Sequence, residues 1–366
     1  MKSKKSELWN QILKSFILYA LTPLLCVAVT AVSVFARGEG IYSLECLLTQ
    51  YSIEALAERM ALNSGVDEKE KNDEGGALYF LPPLTDAASG LLPEEIRLQV
   101  MTSIPEGMLP IIKADLSSKS VFINTTKYEL DKEELLKDAQ HFDFEKTEPL
   151  VLVLHTHTTE GYYEGPRDII TENAVGYYDP VNDSPRSSDP QKSVVAVGEE
   201  LCRVLGENGI ASVHCTEIND SDFNKSYQSS YYAALEYLEK YPSVKYVIDI
   251  HRDSIIRENG DKLCPVTTLD GEEVAQVMLV MGTDESGYSH PSWRKNMANA
   301  LLFKEKMDEM FPGLSRPIYV RDVRFNQHVS TGAMLLEMGS CGNTVEQAIR
   351  SAKYCALALA AAIKGE

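Results

Sequence analysis

Leu150-Val151-Leu152-Val153-Leu154-His155-Thr156-His157-Thr158-Thr159-Glu160 joins five apolar residues to a tail of imidazole, hydroxyl and carboxylate groups. A short run of Val and Leu bounded by polar residues reads as a strand buried on both faces. Open α/β sheets gather ligands outside the carboxyl ends of such strands. The tail therefore falls where chemistry is expected, and His157 and Glu160, three residues apart, could meet one cation across a tight turn.

Working outward from this strand, the pattern alternates. Asp189-Pro190 gives an N-cap followed by proline at the first helical position, predicting a helix over 191–207. Further strands are expected at 211–216, 246–251, 276–281, 318–320 and 333–337, with helices at 226–240, 295–310 and 344–363. A short helix capped by Asp131 precedes the first strand. Strands separated by helices imply a three-layer α/β fold, a largely parallel sheet with helices on both faces. The Tyr-rich stretch 161–188 reads as a loop whose tyrosines pack.

The amino end has a different character. Lys2, Lys4, Lys5 and Lys14 precede Phe16–Ala36, a run with no charge and long enough to span a bilayer as helix. Lysines before it and a mostly acidic chain after it orient residues 1–15 to the cytoplasm and the remainder outside. A cleaved signal peptide ending near Val34 and Ala36 is the rival reading. Residues 37–118 form a juxtamembrane segment and linker: 46–62 has helical spacing, 67–76 is a charged run, and 77–118 is rich in Pro and Gly with local structure. The catalytic domain is expected over 119–366.

Composition excludes one class. The 366 residues carry a net charge of -19, which leaves no basic surface for nucleic acid. Seven cysteines show no CxxC spacing, so neither a disulfide framework nor a thiolate zinc site is indicated.

The chemistry concentrates at strand ends. Besides His157 and Glu160, a second buried strand ends in Asp249-Ile250-His251-Arg252-Asp253-Ser254. Two imidazoles and one carboxylate, with a fourth position for water, make up a catalytic zinc site. Glu337, closing the buried strand Ala333-Met334-Leu335-Leu336, is the candidate general base; an ion pair with Arg321 or Arg324 is its structural alternative. His155 fits an orienting role behind the ligands or a backbone contact. Arg252 and Asp253 suit substrate binding or capping of the next turn, and Asn326 and Gln327 could line the cleft.

These segments together with Arg186-Ser187-Ser188-Asp189, Asn326-Gln327, Gly332-Ala333-Met334-Leu335-Leu336-Glu337-Met338-Gly339 and Gly342-Asn343-Thr344 resemble the stage II sporulation protein P family over about 120–366. That family is a single-pass cell-wall hydrolase of endospore formers, related to zinc-dependent N-acetylmuramoyl-L-alanine amidases. The resemblance implies an amidase-like fold, a zinc cofactor and cleavage of the amide between the muramic acid lactyl group and L-alanine in peptidoglycan. A second cut in peptide cross-links stays open. It further implies action in septal wall thinning during engulfment, in the intermembrane space of the sporulation septum, with stage II sporulation proteins D and M as partners.

In the wider amidases a strand-end His, a Glu opening the first helix, a second strand-end His and a Glu on a later strand build the site. His157, His251 and Glu337 match three of these positions. The remaining metal ligand is Glu160 by local spacing, which is preferred, or Asp189 by position in the family pattern. A non-catalytic peptidoglycan-binding scaffold of the same fold is the alternative. A barrel-type metal amidohydrolase also begins with His-x-His, but it needs eight βα units and more strand-end histidines than the chain supplies.

Overall fold

The computed structural model describes residues 104–165 and 173–366. The expected cytoplasmic start, the anchor at 16–36 and the helix at 46–62 lie outside them. Among the described residues no helix is long and apolar enough to cross a membrane.

A seven-stranded sheet carries the fold, in the order β2-β10-β9-β11-β6-β3-β5. Its strands are β2 (Phe122–Asn124), β3 (Val151–Leu154), β5 (Ser212–His214), β6 (Tyr246–Asp253), β9 (Val277–Gly282), β10 (Ile318–Arg321) and β11 (Gly332–Ser340). Every ladder is parallel except β9 against β11. The largely parallel reading therefore holds, with one reversal. That reversal arises because a short crossing leads from the second sheet straight into β9.

Side-chain alternation divides the sheet into two apolar faces. Val151, Val153, Ile248, Ile250, Met334 and Leu336 pack with α2 (Val194–Glu207), α4 (Trp293–Met310) and α5 (Val345–Lys364). Leu152, Leu154, Val247 and Ala333 pack instead with Ala233 and Ala234 of α3 (Ser226–Lys240). Helices thus cover both faces of the central strands, which is why those strands read as almost wholly apolar runs. Each buried Leu, Ile or Val contributes about 1.5–3 kcal/mol, so the central strands are rigid enough to hold a site.

Local signals set the helix ends. Asp131 caps the short α1 (Lys132–Leu136) through the amide of Glu134. A capping box between Thr344 and Gln347 opens α5, and Gly365 in the left-handed region ends it. The helix expected from Gln191 begins later. Asp189 caps only a 3-10 turn, Pro190–Lys192, and Ser193 then caps α2 through the amide of Val195.

A second, four-stranded sheet was not legible in the alternation. Its order is β4-β1-β7-β8, from β1 (Leu109–Ala114), β4 (Ala174–Tyr178), β7 (Lys262–Leu269) and β8 (Glu272–Ala275). β1 falls in the expected linker and β4 in the expected loop. Pro110, Gly176 and Pro265 interrupt these strands and hide the period-two pattern. One signal was present: Asp270-Gly271 joins β7 to β8 with both residues at positive φ, the turn that tight hairpins favour. Among the described residues Cys202, Cys215, Cys264, Cys341 and Cys355 are free thiols.

Candidate metal centre

The chain leaves β3 through a tight turn, and the turn brings its polar tail to one place. The amides and hydroxyls of Thr156, Thr158 and Thr159 anchor it. Thr156 donates from N and Oγ1 to the two carboxylate oxygens of Asp249, at 2.8 and 2.6 Å. Thr158 Oγ1 donates to the Glu217 carbonyl at 2.8 Å and Thr159 Oγ1 to Asp220 at 2.7 Å. The Glu160 amide closes back on the His157 carbonyl at 3.0 Å. His157 and Glu160 thereby face the same side.

His251 arrives from β6. It lies on the α3 face of the sheet, in alternation with Val247 and Asp249, near the carboxyl end of the strand. One donor atom from each of His157, Glu160 and His251 lies within 4.8 Å of the other two. Two donors bound to one zinc at about 2.1 Å stand about 3.4 Å apart at a tetrahedral angle. The 3.6 Å between His251 Nδ1 and Glu160 Oε2 meets that spacing.

The donor set fits a cation in a second respect. His157 Nδ1 and Glu337 Oε2 are buried without a hydrogen-bond partner, and such orphaned polar atoms are costly unless something else satisfies them. His251 turns Nε2 to Asp249 Oδ1, at 3.1 Å, and so leaves Nδ1 facing Glu160. Two imidazoles with one carboxylate are ligands suited to zinc.

Protonation is unequal between the two histidines. Burial lowers the His157 pKa to about 3, with the charges of His251 and Arg186 adding to the fall. Burial works against charge on His251 too, but the Asp249 carboxylate, with Glu160 and Glu337 adding their pull, raises its pKa to about 10. Burial alone would raise the Asp249 pKa; the His251 charge and the Thr156 hydrogen bonds outweigh it and hold it low. The centre thus presents a neutral imidazole, plus a second one whose proton a bound cation would replace.

Glu337 stands beside His251. Burial pushes its pKa above the ordinary carboxylate range, the Asp253 charge adds to the rise, and His251 opposes it. The structural alternative of a pairing with Arg321 or Arg324 is not adopted. Arg321 lies over the Tyr319 ring, and Arg324 reaches the Ser289 carbonyl and the Tyr288 ring.

The other residues singled out in the sequence are placed differently. Asp189 is exposed and engaged with the Gln191 amide at 3.0 Å, outside the cluster. His155 continues the β3 alternation, turning to the α2 side with Val153, because the turn begins only after it. Its Nε2 meets His214 Nε2 at 2.8 Å and its Nδ1 meets the Ile250 carbonyl at 3.1 Å. Arg252 donates its amide to Glu160 Oε2 at 3.0 Å, while its guanidinium binds the carbonyls of Gly161 and Pro185. It therefore positions Glu160. Asp253 pairs with Arg316 at 2.9 Å and accepts from the Ser254 amide at 2.8 Å. Asn326, left-handed at φ 57, donates to the Tyr227 carbonyl at 2.7 Å, and Gln327 bridges Gly282 and Val280.

Several contributors had no distinctive sequence signal. Phe223 stacks on the His157 ring at 4.8 Å, and Tyr227 meets it edge-on at 5.8 Å. Arg186, which opens the quoted Arg186–Asp189 motif, pairs with buried Asp220 and lies over Phe223 at 4.7 Å. Asp249 stood inside a quoted motif, but only the strand register shows its carboxylate turned toward His251. The tyrosines pack as expected: Tyr162 donates to the Met338 carbonyl at 2.9 Å and Tyr163 to that of Tyr177 at 2.6 Å.

Fold and site together define an α/β protein with a metal-competent centre at its strand ends. The chain belongs to the stage II sporulation protein P (SpoIIP) family, whose model matches residues 110–360. The stage II sporulation protein P of Bacillus subtilis (strain 168) is 28% identical over 219 residues, covering 57% of this chain and 49% of that protein. The matched stretch thus spans about half the length of this curated relative.

Solved structures with some likeness include N-acetylmuramoyl-L-alanine amidase AmiC2 of Nostoc punctiforme, at 15% identity and a TM-score of 0.31, covering 59% of this chain and 96% of that one. The CwlD amidase from Clostridioides difficile, in complex with the GerS lipoprotein, stands at 12% and 0.34, with 59% and 97% covered. Ami1 from Mycobacterium smegmatis stands at 11% and 0.32, with 60% and 96% covered.

Proposed function

We propose that the chain is a zinc-dependent N-acetylmuramoyl-L-alanine amidase, a peptidoglycan hydrolase tethered to the membrane by residues 16–36. It would thin the septal wall during engulfment, in the intermembrane space of the sporulation septum, beside stage II sporulation proteins D and M. Family membership supports the setting. One observation carries the chemistry: donor atoms of His157, Glu160 and His251 come within 4.8 Å of one another, with Glu337, whose Oε2 has no partner, in register with His251.

In this reading His157, Glu160 and His251 would hold zinc, which when bound would supply a water of pKa near 7 and polarise the carbonyl under attack. Arg252 holds Glu160 in place through its backbone amide. Glu337 accepts the proton of the attacking water at its free carboxyl oxygen and returns it to the departing amine. The bond broken is the amide between the lactyl carbonyl and L-alanine, and the bond formed is carbon to the water oxygen. A carboxylate and a free amine result.

Mass spectrometry of material released from purified sacculi by the zinc-loaded protein tests this. Free stem peptides with an N-terminal L-alanine are expected. Equal binding of wild type and Glu337→Gln to sacculi, with no peptide released by either, would instead mark a scaffold.

A further inference from the structure

Arg186 opens the motif Arg186–Asp189, which the metal centre leaves without a role once Asp189 falls outside it. The backbone sets Arg186 directly beside a candidate ligand. Glu160 and Arg186 form an isolated antiparallel bridge. Hydrogen bonds flank the pair, from the Gly161 amide to the Pro185 carbonyl at 3.1 Å and from the Ser187 amide to the Thr159 carbonyl at 2.8 Å. In a pair flanked in this way the two α-carbons stand about 4.5 Å apart, and both side chains leave on one face.

The side chain is held against the centre a second time. One terminal nitrogen, Nη1, donates to Thr159 Oγ1 at 2.9 Å and to the Asp220 carboxylate. The Asp220 side chain is wholly buried, and it also accepts from the amide and hydroxyl of Thr159. The guanidinium carbon lies 4.7 Å over the Phe223 ring, and that ring stacks on the His157 ring at 4.8 Å. These two steps place the guanidinium carbon no more than 9.5 Å from the centre of the His157 ring. The Arg186 side chain is 35% exposed and Phe223 40%, so both reach solvent on this flank of the centre.

What remains of the guanidinium is a binding edge. Among the described residues Nε and Nη2 make no hydrogen bond. Their two N–H groups run parallel and match the two oxygens of a carboxylate. Asp220 and Phe223 fix the plane beforehand, so little ordering is left to binding. The other arginines at the centre are engaged, Arg252 with the carbonyls of Gly161 and Pro185 and Arg316 with Asp253. Glu160, Asp249, Asp253 and Glu337 make the surroundings acidic, so an anionic substrate needs a cation on this flank.

We infer that the Nε–Nη2 edge of Arg186, held on Phe223, is a subsite for a free carboxylate on the peptide stem of the substrate. The inference rests on the peptidoglycan reading above and names the group on that substrate which the chain grips. An extended peptide covers the distance to His157 in about three residues. The carboxylate therefore belongs to one of the first residues after the bond that is cut.

The test is the ratio of two affinities, read by calorimetry on the full zinc-loaded chain carrying Glu337→Gln to suppress turnover. The ligands are soluble muramoyl peptides with a free stem carboxylate and the same compounds as carboxamides. The acid should bind about tenfold more tightly, the scale of one charge-assisted contact. Adding Arg186→Gln should bring the ratio close to one. That change strands the Asp220 charge in the interior, so Arg186→Gln with Asp220→Asn is the second variant, and melting temperatures show which is folded. A purely structural role for Arg186 would weaken acid and amide alike and leave their ratio as it was. Phenylglyoxal, which modifies arginine, gives a readout with no substitution at Arg186. By peptide mapping the acid should protect Arg186 and the amide should not.

Equal affinity for acid and amide in the Glu337→Gln parent overturns the subsite. So does a ratio that survives in a folded Arg186 variant, or equal modification of Arg186 under both ligands. Hydrolysis by the wild-type chain is scored separately. Its absence would remove the amidase reading while the comparison of acid with amide still decides the subsite.

Discussion

Glu337 stands opposite His251 in the parallel ladder between β11 and β6, residue for residue in register. Both side chains fall on the α3 face, near the carboxyl ends of their strands. The pairing sets a candidate base beside a candidate ligand without any loop having to fold correctly. Glu337→Gln keeps the shape and removes the proton acceptor. Stem-peptide release should fall about 10²–10⁴-fold, the usual weight of a general base, with zinc content unchanged. Loss of zinc along with activity would reassign Glu337 as a ligand.

The ligand set is open to direct counting. His157→Ala and His251→Ala should each prevent stoichiometric zinc uptake, measured by elemental analysis after dialysis. Glu160→Gln should weaken uptake, because the amide keeps the hydrogen bond from Arg252 but loses the charge. Asp189→Ala should bind zinc as wild type does and lose no more than about 1 kcal/mol of stability, the worth of a cap. A zinc-free Asp189→Ala protein would restore the family-pattern ligand in place of Glu160.

Asp249 approaches the His251 ring at 3.1 Å while accepting two hydrogen bonds from Thr156. It therefore fixes both the imidazole and the turn that presents His157. Carboxylates behind metal-bound histidines commonly contribute 10–100-fold to affinity. Asp249→Asn should weaken zinc binding by about that factor in competition with a chromophoric chelator. Undiminished affinity would leave Asp249 a purely structural residue.

The seven-stranded sheet could be read from the sequence because its central strands are buried on both sides. Val151–Leu154 and Ala333–Leu336 are unbroken apolar runs, Tyr246–Ile250 is interrupted only by Asp249, and each ends where a polar group must have a reason to be. The second sheet had no such signature. Its strands carry Pro110, Gly176 and Pro265, and apart from the hairpin of β7 with β8 they pair across long sequence separations. The site was legible in part for the same reason. His251 and Glu337 continue a strand's period, and His157 with Glu160 needs only a turn. Asp189 misled because a Pro after an Asp marks a helix start whether it is a 3-10 turn or an α-helix. His155 makes the backbone contact expected as one of its two roles, at the Ile250 carbonyl, because alternation persisted one residue beyond Leu154. Phe223 and Tyr227 reach their places by tertiary packing alone, which no local pattern encodes.

His290 supplies a test of acid stability away from the metal centre. It is 1% exposed and neither ring nitrogen has a partner. Burial lowers its pKa to about 4, with the charges of His328 and Arg324 adding to the fall and Asp284 opposing it. The folded state therefore keeps this ring neutral, while the unfolded chain takes up a proton near pH 6.5. Between about pH 6.5 and 4 the unfolded state binds more protons, so stability is full above that window and is lost as pH falls through it. The loss is on the order of 3 kcal/mol at 1.36 kcal/mol per pH unit. His214, whose pKa burial also lowers to about 4, acts in the same direction. His290→Leu removes the titrating ring and keeps an apolar side chain of similar size. Its melting temperature should fall clearly less than that of the wild type between pH 6.5 and 4. Parallel slopes in the two proteins would show that the proton is not taken up at His290.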